Sequence, residues 1–333
     1  MIDVLVRYLR ADGASLLGND GYCRSLRVLK ASGAPGWVGR VSFFVFRDTE
    51  VHPCLVCRVP RHPSGEESLH AEWAVRQEIY TRLPPTLKAS VPMLLALERL
   101  QGTAVLIEQG LSGTALFGRF MTRFPGARRR IVNSALNGVA AWITSFQHAT
   151  EREQRVWTLR DEEEHVFHAF SRAARWLRPE SRAWLSRELS THVRALRGAE
   201  IVWAAQHGDL WPGNILAGPR GLAVVDWEVA RCAAPTFVDP LLFVLFYLFG
   251  DRLSIGRSDW YSGIRLPEQE SARAFVAATV RQLAADHDKL RAAFLVSVLS
   301  RCHHHRLREG PPRELRVLVD LIQAPELLTW LAG

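Results

Sequence analysis

Short apolar runs dominate the first third of the chain and predict strands. β-Branched and aromatic residues fill these runs, and Gly, Pro or acidic residues separate them, which is the pattern of consecutive strands joined by turns. The runs are residues 26–29, 41–46, 54–59 and 104–108. Between the first two runs, the segment 31–39 contains Gly33, Gly36 and Gly39, so it is predicted to be a loop.

A helical pattern follows the third strand. Residues 64–67, Ser-Gly-Glu-Glu, have capping-box spacing, and two prolines stand at 84 and 85, so a helix is predicted from residue 65 to residue 83. Its apolar side consists of Leu69, Trp73, Ile79, Tyr80 and Leu83. Glu72 falls inside this stripe, and a buried carboxylate needs a partner. Arg76, four residues later, is one such partner, and a cation from another element is the alternative.

The remainder of the chain predicts mainly helices. Helical periodicity runs through residues 131–148, 161–177, 182–196 and 271–330. The most hydrophobic run, 237–249, predicts a buried helix because it is far shorter than the roughly 20 residues that span a bilayer. The acidic run 161–164 either attracts a cationic ligand or simply favours the positive end of a helix dipole.

Two apolar runs in the second half predict a β-hairpin. Residues 214–217 and 222–225 flank Gly-Pro-Arg-Gly at 218–221, a predicted four-residue turn. If this hairpin pairs symmetrically, Asn214 lies within roughly 5–8 Å of Asp226, the distance of direct and diagonal cross-strand neighbours. One cation would then bridge the two side chains. The alternative is an ordinary hairpin with acids at its surface.

Asp209 adds a third reactive group to this stretch. It precedes Asn214 by five residues, the spacing at which an Asp takes the proton of an acceptor hydroxyl and an Asn holds Mg²⁺ in phosphoryl-transfer sites. The stretch HGDLWPGN, residues 207–214, resembles the catalytic segment of the aminoglycoside phosphotransferase and choline kinase-like family. These small-molecule kinases have His-Gly-Asp at the position where protein kinases have His-Arg-Asp. Fructosamine kinases have a similar segment, but VDWE at 225–228 resembles the aminoglycoside and choline branch more closely.

The resemblance covers roughly residues 26–249 and implies an α+β, two-lobed protein-kinase-like fold. Residues 1–109 would form a small N-lobe with an antiparallel sheet and one helix, and residues 110–333 a larger, mainly helical C-lobe. The implied reaction moves the γ-phosphoryl group of ATP, or of another nucleoside triphosphate, to a hydroxyl of a small molecule with the help of Mg²⁺. Antibiotic, amino alcohol and sugar acceptors all remain open.

The resemblance also implies roles for individual residues. Asp209 is the catalytic residue, and Asn214 and Asp226 ligate Mg²⁺. The implied nucleotide-binding residues lie in four places. They are the cation of the third strand, the helix carboxylate paired with that cation, the glycine loop, and the hinge at the end of the fourth predicted strand. These positions are Arg58, Glu72, Gly36, Gly39, Glu108 and Gln109. Asp239 is implied to brace the catalytic loop through backbone hydrogen bonds, with a helix cap as the alternative.

Two features depart from the family pattern. Arg58 stands where the family has a lysine; arginine keeps the charge and clamps oxygens bidentately, but it is bulkier and planar. The glycines at 33, 36 and 39 do not follow Gly-x-Gly-x-x-Gly, so a plain hairpin loop is the alternative. These departures leave open a pseudokinase that acts as a nucleotide- or ligand-binding module without turnover.

Charge and cysteine content bear on the partners and the cellular location that are expected for this protein. A net charge of +8 over 333 residues permits polyanion binding, but the basic residues are scattered and only 128–130 form a run, so no nucleic-acid partner is predicted. Five dispersed cysteines and a charged N-terminus predict reduced thiols and no signal peptide. A soluble cytoplasmic protein without membrane contact is therefore expected, and its oligomeric state stays open.

Overall fold

The computed structural model describes residues 2–17, 26–32, 40–47, 49–120, 125–255 and 266–304. The predicted glycine loop, with Gly36 and Gly39, and the predicted helical pattern beyond residue 304 lie outside these residues. The chain divides into two compact units. The first comprises Met1–Thr114 and Leu216–Glu228, and the second comprises Ala115–Ile215 and Val229–Gly333. The predicted lobes had a single boundary after residue 109, whereas the first unit also takes in a segment from the second half of the chain.

Strands predominate before residue 116. The elements in chain order are α1 Ile2–Leu17, β1 Leu26–Ser32, β2 Arg40–Arg47, β3 Leu55–Pro60, α2 Ser64–Arg82, α3 Pro85–Lys88, β4 Leu94–Leu100, β5 Thr103–Gln109 and β6 Thr114–Ala115. All four predicted strands are present, with small shifts at their ends. Helix α2 begins at Ser64 after an N-cap at Pro63 that makes no side-chain capping bond, so the predicted capping box does not start this helix.

The first unit contains a five-stranded antiparallel sheet of order β1-β2-β3-β5-β4. Strand β4 was not predicted because it lies at the sheet edge, where its polar residues Glu98 and Arg99 are exposed and break the apolar pattern. Directly opposed residues of an antiparallel pair share a face. The register places Ser42 opposite Arg58 and Val56 opposite Glu108, so these positions share one face of the sheet.

The two faces of this sheet pack against different helices. Phe43, Val45, Cys57 and Ile107 form a buried cluster with Leu5 and Leu9 of α1. On the other face, Leu69 of α2 packs with Ala104 and Leu106 of β5. Strand residues alternate between faces, so the even-numbered positions of β3 are turned away from α1. Arg58 consequently lies on the α2 side of the sheet.

Gly110 follows β5 at a point where backbone segments approach closely. Its N–H donates to Cys54 O at 2.8 Å, and a Cβ added at Gly110 would stand 2.0 Å from the carbonyl oxygen of Pro53. We expect Gly110→Ala to lower the free energy of unfolding by about 3 kcal/mol, at the upper end of overpacking costs, in urea denaturation. Gly118→Ala is the control because no atom lies within 4 Å of its added Cβ. Equal stability of the two variants would contradict the prediction.

Helices predominate in the remaining described residues. The elements are α4 Leu116–Phe120, α5 Pro125–Thr150, β7 Glu153–Val156, α6 Leu159–Glu162, a π-helical turn Glu163–Phe167, α7 His168–Ala174, α8 Pro179–His192, a 3₁₀ turn Val193–Leu196, β8 Glu200–Gln206, β9 Ile215–Gly218, β10 Gly221–Val224, β11 Arg231–Pro235, α9 Val238–Ile255, α10 Leu266–Thr279, α11 Arg281–Ala284 and α12 His287–His304. The helix predicted over 161–177 is divided by the π-helical turn, which sets His165 5.9 Å from the Trp157 ring and 5.1 Å from the Trp203 ring.

The second unit builds its core from helix pairs around a small sheet. Helix α10 packs on α5 and α12 packs on α9, while β7, β8 and β11 form a sheet of order β11-β8-β7. Trp157, Phe237, Phe243 and Phe294 are fully buried in this unit. Within the described ranges, none of the helices has the length and hydrophobicity needed to span a bilayer.

The hairpin predicted over residues 214–225 is confirmed with a shorter turn. Strands β9 and β10 are neighbours in a three-stranded sheet of order β10-β9-β6. Only Pro219 and Arg220 separate the two strands, instead of the predicted four-residue turn, because Gly218 and Gly221 extend them. Asn214 and Asp226 both stand just outside the strands.

Candidate active site

Arg58 is the centre of a buried charge network in the first unit. Its guanidinium lies 3.1 Å from a Glu108 oxygen, 3.4 Å from a Glu72 oxygen and 3.0 Å from an Asp226 oxygen. Burial lowers the pKa of Arg58, but the negative charges of Glu108, Glu72 and Asp226 outweigh this effect and raise the pKa. The structure therefore brings three of the predicted site residues, all of them acidic, together around the permanent cation of Arg58.

Glu72 pairs with three arginines, whereas the sequence indicated Arg76 and Arg58 as alternative partners. Arg76, four residues later, lies 3.0 Å from its carboxylate, Arg58 lies at 3.4 Å, and Arg40 of β2 forms a further close pair. Burial raises the pKa of Glu72, but the charges of Arg58, Arg40 and Arg76 outweigh it and lower the pKa to about 2. Both proposed partners thus contact Glu72, and Arg40 is an addition that the sequence pattern did not indicate.

This depressed pKa gives a prediction for acid stability. Glu72 is ionised in the fold down to about pH 2, whereas the unfolded chain protonates it near 4.5. Its contribution to the free energy of unfolding is therefore full above about pH 4.5 and lost as the pH falls towards 2. We expect Glu72→Gln to flatten that part of the stability profile, measured by urea denaturation across this range. Glu78→Gln, on the exposed side of α2, is the control, and an unchanged slope in Glu72→Gln would contradict the assignment.

The predicted hinge residues are held by the sheet. The Glu108 side chain points into the charge network, where it pairs with Arg58 and Arg76. The Gln109 N–H donates to Met93 O at 2.9 Å, and the Gly110 N–H donates to Cys54 O at 2.8 Å. These two N–H groups are engaged within the first unit. The nucleotide contact expected of Glu108 and Gln109 stays a prediction.

Asp226 has an unusual backbone conformation directly after β10. Its φ is 69°, in the left-handed region that few residues other than glycine adopt. The neighbouring Trp227 is buried and donates from Nε1 to Val224 O at 2.8 Å, which anchors the segment. Burial and the charge of Asp226 raise the pKa of Glu228, although Arg40 and Arg58 act in the opposite direction. Strained positions of this kind concentrate at functional sites.

The segment 207–214, which the sequence predicted to be catalytic, begins at the end of β8. Asp239 accepts hydrogen bonds from the His207 N–H at 2.6 Å and the Gly208 N–H at 2.9 Å. This confirms the predicted brace. Gly208 has a φ of 78°, and an added Cβ would stand 2.6 Å from Val229 O, so glycine is needed at this position. The backbone leading to Asp209 is therefore fixed by hydrogen bonds and by close approach.

Asp209 and Asn214 are linked within the same unit. The Asn214 Nδ2 donates to the Asp209 carbonyl oxygen at 3.0 Å, and the Asn214 N–H donates to Trp211 O at 2.9 Å. Because the amide nitrogen is engaged, the side-chain oxygen of Asn214 is the atom suited to a cation. The Asp209 N–H donates to His207 Nδ1 at 3.2 Å. Asp209 and Asn214 are both buried.

Comparison with known proteins decides the family. A model described as the phosphotransferase enzyme family, APH, matches residues 38–237, which is more than half of the chain. The chain belongs to this phosphotransferase family. The predicted enzyme class, a small-molecule kinase with a hydroxyl acceptor, is thereby confirmed. No curated protein sequence matches the chain.

Solved structures confirm the protein-kinase-like fold predicted for this phosphotransferase. Aminoglycoside phosphotransferase APH(4)-Ia is similar with a TM-score of 0.61, 15% identity and coverage of 100% of both chains. A thermostable mutant of APH(4)-Ia in ternary complex with AMP-PNP and hygromycin B gives a TM-score of 0.58 at 16% identity, covering 98% of this chain and 99% of that one. The gentamicin complex of APH(2")-IIa gives 0.51 at 13% identity, with 96% and 97% coverage.

Each unit of the phosphotransferase carries an oxygen donor of the kind that binds a hard divalent cation. Mg²⁺ prefers oxygen ligands and commonly takes one or two carboxylates together with substrate phosphates. Asp226 of the first unit offers a half-exposed carboxylate, and Asn214 of the second unit offers an oriented amide oxygen. Arg58 is the cation suited to phosphate oxygens. Each of these groups, taken within its own unit, therefore matches the ligand chemistry of Mg²⁺ or of phosphate.

The acidic run of the phosphotransferase is tied into its own unit. Asp161 closes a capping box with Thr158 and pairs with Arg155 at 2.7 Å. Glu162 accepts two hydrogen bonds from Arg197, at 2.6 and 2.7 Å. Both carboxylates are buried, so two of the four acids stabilise a helix start and its neighbours. This favours the helix-start interpretation over the capture of a cationic ligand.

Proposed function

We propose that this phosphotransferase transfers the γ-phosphoryl group of ATP to a hydroxyl group of a small molecule in the presence of Mg²⁺. The observation that carries the proposal is the position of Arg58, which pairs with Glu72 of α2 and with Asp226 at 3.0 Å. Phosphoryl-transfer sites of kinases combine a strand cation, a helix glutamate and a metal-binding aspartate in this way. The cation here is arginine rather than lysine.

Each residue of the site has a distinct role in the proposed reaction. Asp209 accepts the proton of the acceptor hydroxyl and orients it, and the brace from Asp239 keeps its backbone in place. Arg58 holds phosphate oxygens with its planar fork of donors. Asp226 and Asn214 would supply oxygen ligands to Mg²⁺, and the metal would neutralise charge on the phosphates.

The acceptor is proposed to be an antibiotic, an amino alcohol or a sugar. The similar enzymes were solved with hygromycin B and with gentamicin. Two of the four acids in the run 161–164 are already paired in the present chain, so capture of a polycation by this run is not part of the proposal. The cytoplasm is the proposed location, because ATP is available there and the five dispersed cysteines of the sequence fit reduced thiols better than a disulfide framework.

A screen for phosphate transfer tests this function. The purified protein, Mg²⁺ and ATP or GTP are incubated with aminoglycosides, amino alcohols and sugars, and nucleoside diphosphate and phosphorylated product are measured. We expect acceptor-dependent product that disappears with EDTA and in the Asp209→Asn variant. Calorimetry with Mg²⁺-ATP accompanies the screen. A protein that neither binds nucleotide nor hydrolyses it would overturn the proposal, and binding without any turnover would favour the pseudokinase alternative.

A further inference from the structure

Arg40 lies beside Arg58 on the sheet face that carries the charge network. It is the first residue of β2 and directly follows the glycine-containing segment. Ser42 opposes Arg58 in the β2–β3 register, so Arg40, two residues earlier, shares that face. Diagonal neighbours of this kind are separated by about 7–8 Å. Arg40 therefore places a second guanidinium one step along the sheet from Arg58.

The contacts of Arg40 repeat those of Arg58. Each arginine pairs with Glu72 of α2 and with one acid of the segment after β10. The acid near Arg58 is Asp226 at 3.0 Å, and the acid near Arg40 is Glu228 at 3.6 Å. The other terminal nitrogen of Arg40 donates to Ser68 Oγ at 2.8 Å, and the side chain is only 12% exposed.

Stabilising Glu72 does not explain this arrangement. Arg76 and Arg58 already contact the Glu72 carboxylate, and Arg76 is further fixed by Pro92 O at 2.9 Å. Burying the charge of Arg40 as a third partner is unfavourable, since a buried ion loses its hydration before its partners compensate. Two nearly buried guanidinium groups side by side are suited instead to an extended polyanion, because each offers a planar fork of donors for phosphate oxygens.

We propose that Arg40 is a second phosphate-binding residue of the nucleotide site and acts as a pair with Arg58. Donors of Arg40 pass from Glu228 to oxygens of the triphosphate when the nucleotide binds, while Arg76 keeps Glu72 paired. This inference rests on the proposed function. It assigns recognition of the phosphate chain to two arginines in place of the single lysine of related enzymes, and it leaves recognition of the base and ribose to other residues.

Calorimetric titration separates this role from a structural one. Mg²⁺-ATP and AMP are titrated into the parent, Arg40→Gln, Arg40→Lys and the control Arg99→Gln. Arg99 also joins a strand of this sheet to α2, through Glu66 at 2.7 Å, but it is largely exposed. We expect Arg40→Gln to lose about tenfold or more in ATP affinity, the scale of one charge-assisted hydrogen bond, with AMP affinity unchanged. Arg40→Lys should fall between the parent and Arg40→Gln.

The results of these titrations distinguish a failure of the Arg40 inference from a failure of the proposed function. Circular dichroism and thermal unfolding confirm that each variant is folded. If folded Arg40→Gln, or folded Arg40→Lys where the glutamine variant does not fold, binds ATP as tightly as the parent, the inference is wrong and the proposed function stands. Equal losses of ATP and AMP affinity would also overturn it, because Arg40 would then act only on the fold. A parent that binds no nucleotide would overturn the proposed function itself.

Discussion

Asp209→Asn is expected to lower turnover by about 10²–10⁴-fold while nucleotide affinity stays close to that of the parent. This factor is the usual contribution of a positioned general base. The substitution is isosteric, and the segment is held by hydrogen bonds that do not involve the Asp209 carboxylate. The His207 and Gly208 N–H groups donate to Asp239, and Asn214 Nδ2 donates to the Asp209 carbonyl oxygen. The loss should therefore appear in kcat and not in the KM for ATP.

Asp226→Asn provides the matched comparison. Asn tolerates the left-handed conformation at φ 69° better than most residues, so the variant should retain the backbone of the parent. We expect it to weaken binding of Mg²⁺-nucleotide markedly, because an amide neutralises no cationic charge. Single-turnover kinetics and calorimetry measure the two effects. Parent-like nucleotide affinity in Asp226→Asn together with reduced affinity in Asp209→Asn would reverse the proposed roles.

Arg58→Ala is expected to have the second large effect, on both stability and nucleotide binding. Arg58 is 7% exposed and is surrounded by Glu72, Glu108 and Asp226. Arg76 still pairs with the first two acids in the variant, but the balance of a buried network is lost, and removing one partner of a buried pair costs about 3–5 kcal/mol. Nucleotide affinity should fall by about 1.5–3 kcal/mol for the lost charge-assisted hydrogen bonds.

Arg58→Lys separates charge from geometry at the same position. A lysine retains the positive charge but has no planar fork with which to span three carboxylates. We expect the lysine variant to retain nucleotide binding and part of the turnover. Urea denaturation and titration of Mg²⁺-ATP measure both properties, with Arg27→Ala of β1 as an exposed control. An alanine variant that binds nucleotide like the parent would remove Arg58 from the site.

The sequence by itself determined the local elements and the motif of residues 207–228 that indicated the family. The alternation in β2 and β3 and the apolar stripe of α2 follow from the periods of strand and helix, so Arg40–Arg47, Leu55–Pro60 and Ser64–Arg82 were predictable. The hairpin was indicated by two apolar runs around a turn. The role of Asp239 came from the family resemblance, and the structure confirmed it through two backbone hydrogen bonds.

Tertiary structure decided the charge pairs that neither helix spacing nor the family resemblance indicated. Arg40 and Glu72 are separated by 32 residues, as are Arg76 and Glu108, and no periodicity within one element specifies a partner at such a distance. The strands of the β11-β8-β7 sheet were missed for the same reason, since their pairing depends on neighbours distant in sequence. The edge strand Leu94–Leu100 was missed because its exposed polar residues break the apolar pattern. Burial then forces every buried charge to find partners, and the register of β2, β3 and β5 selects them.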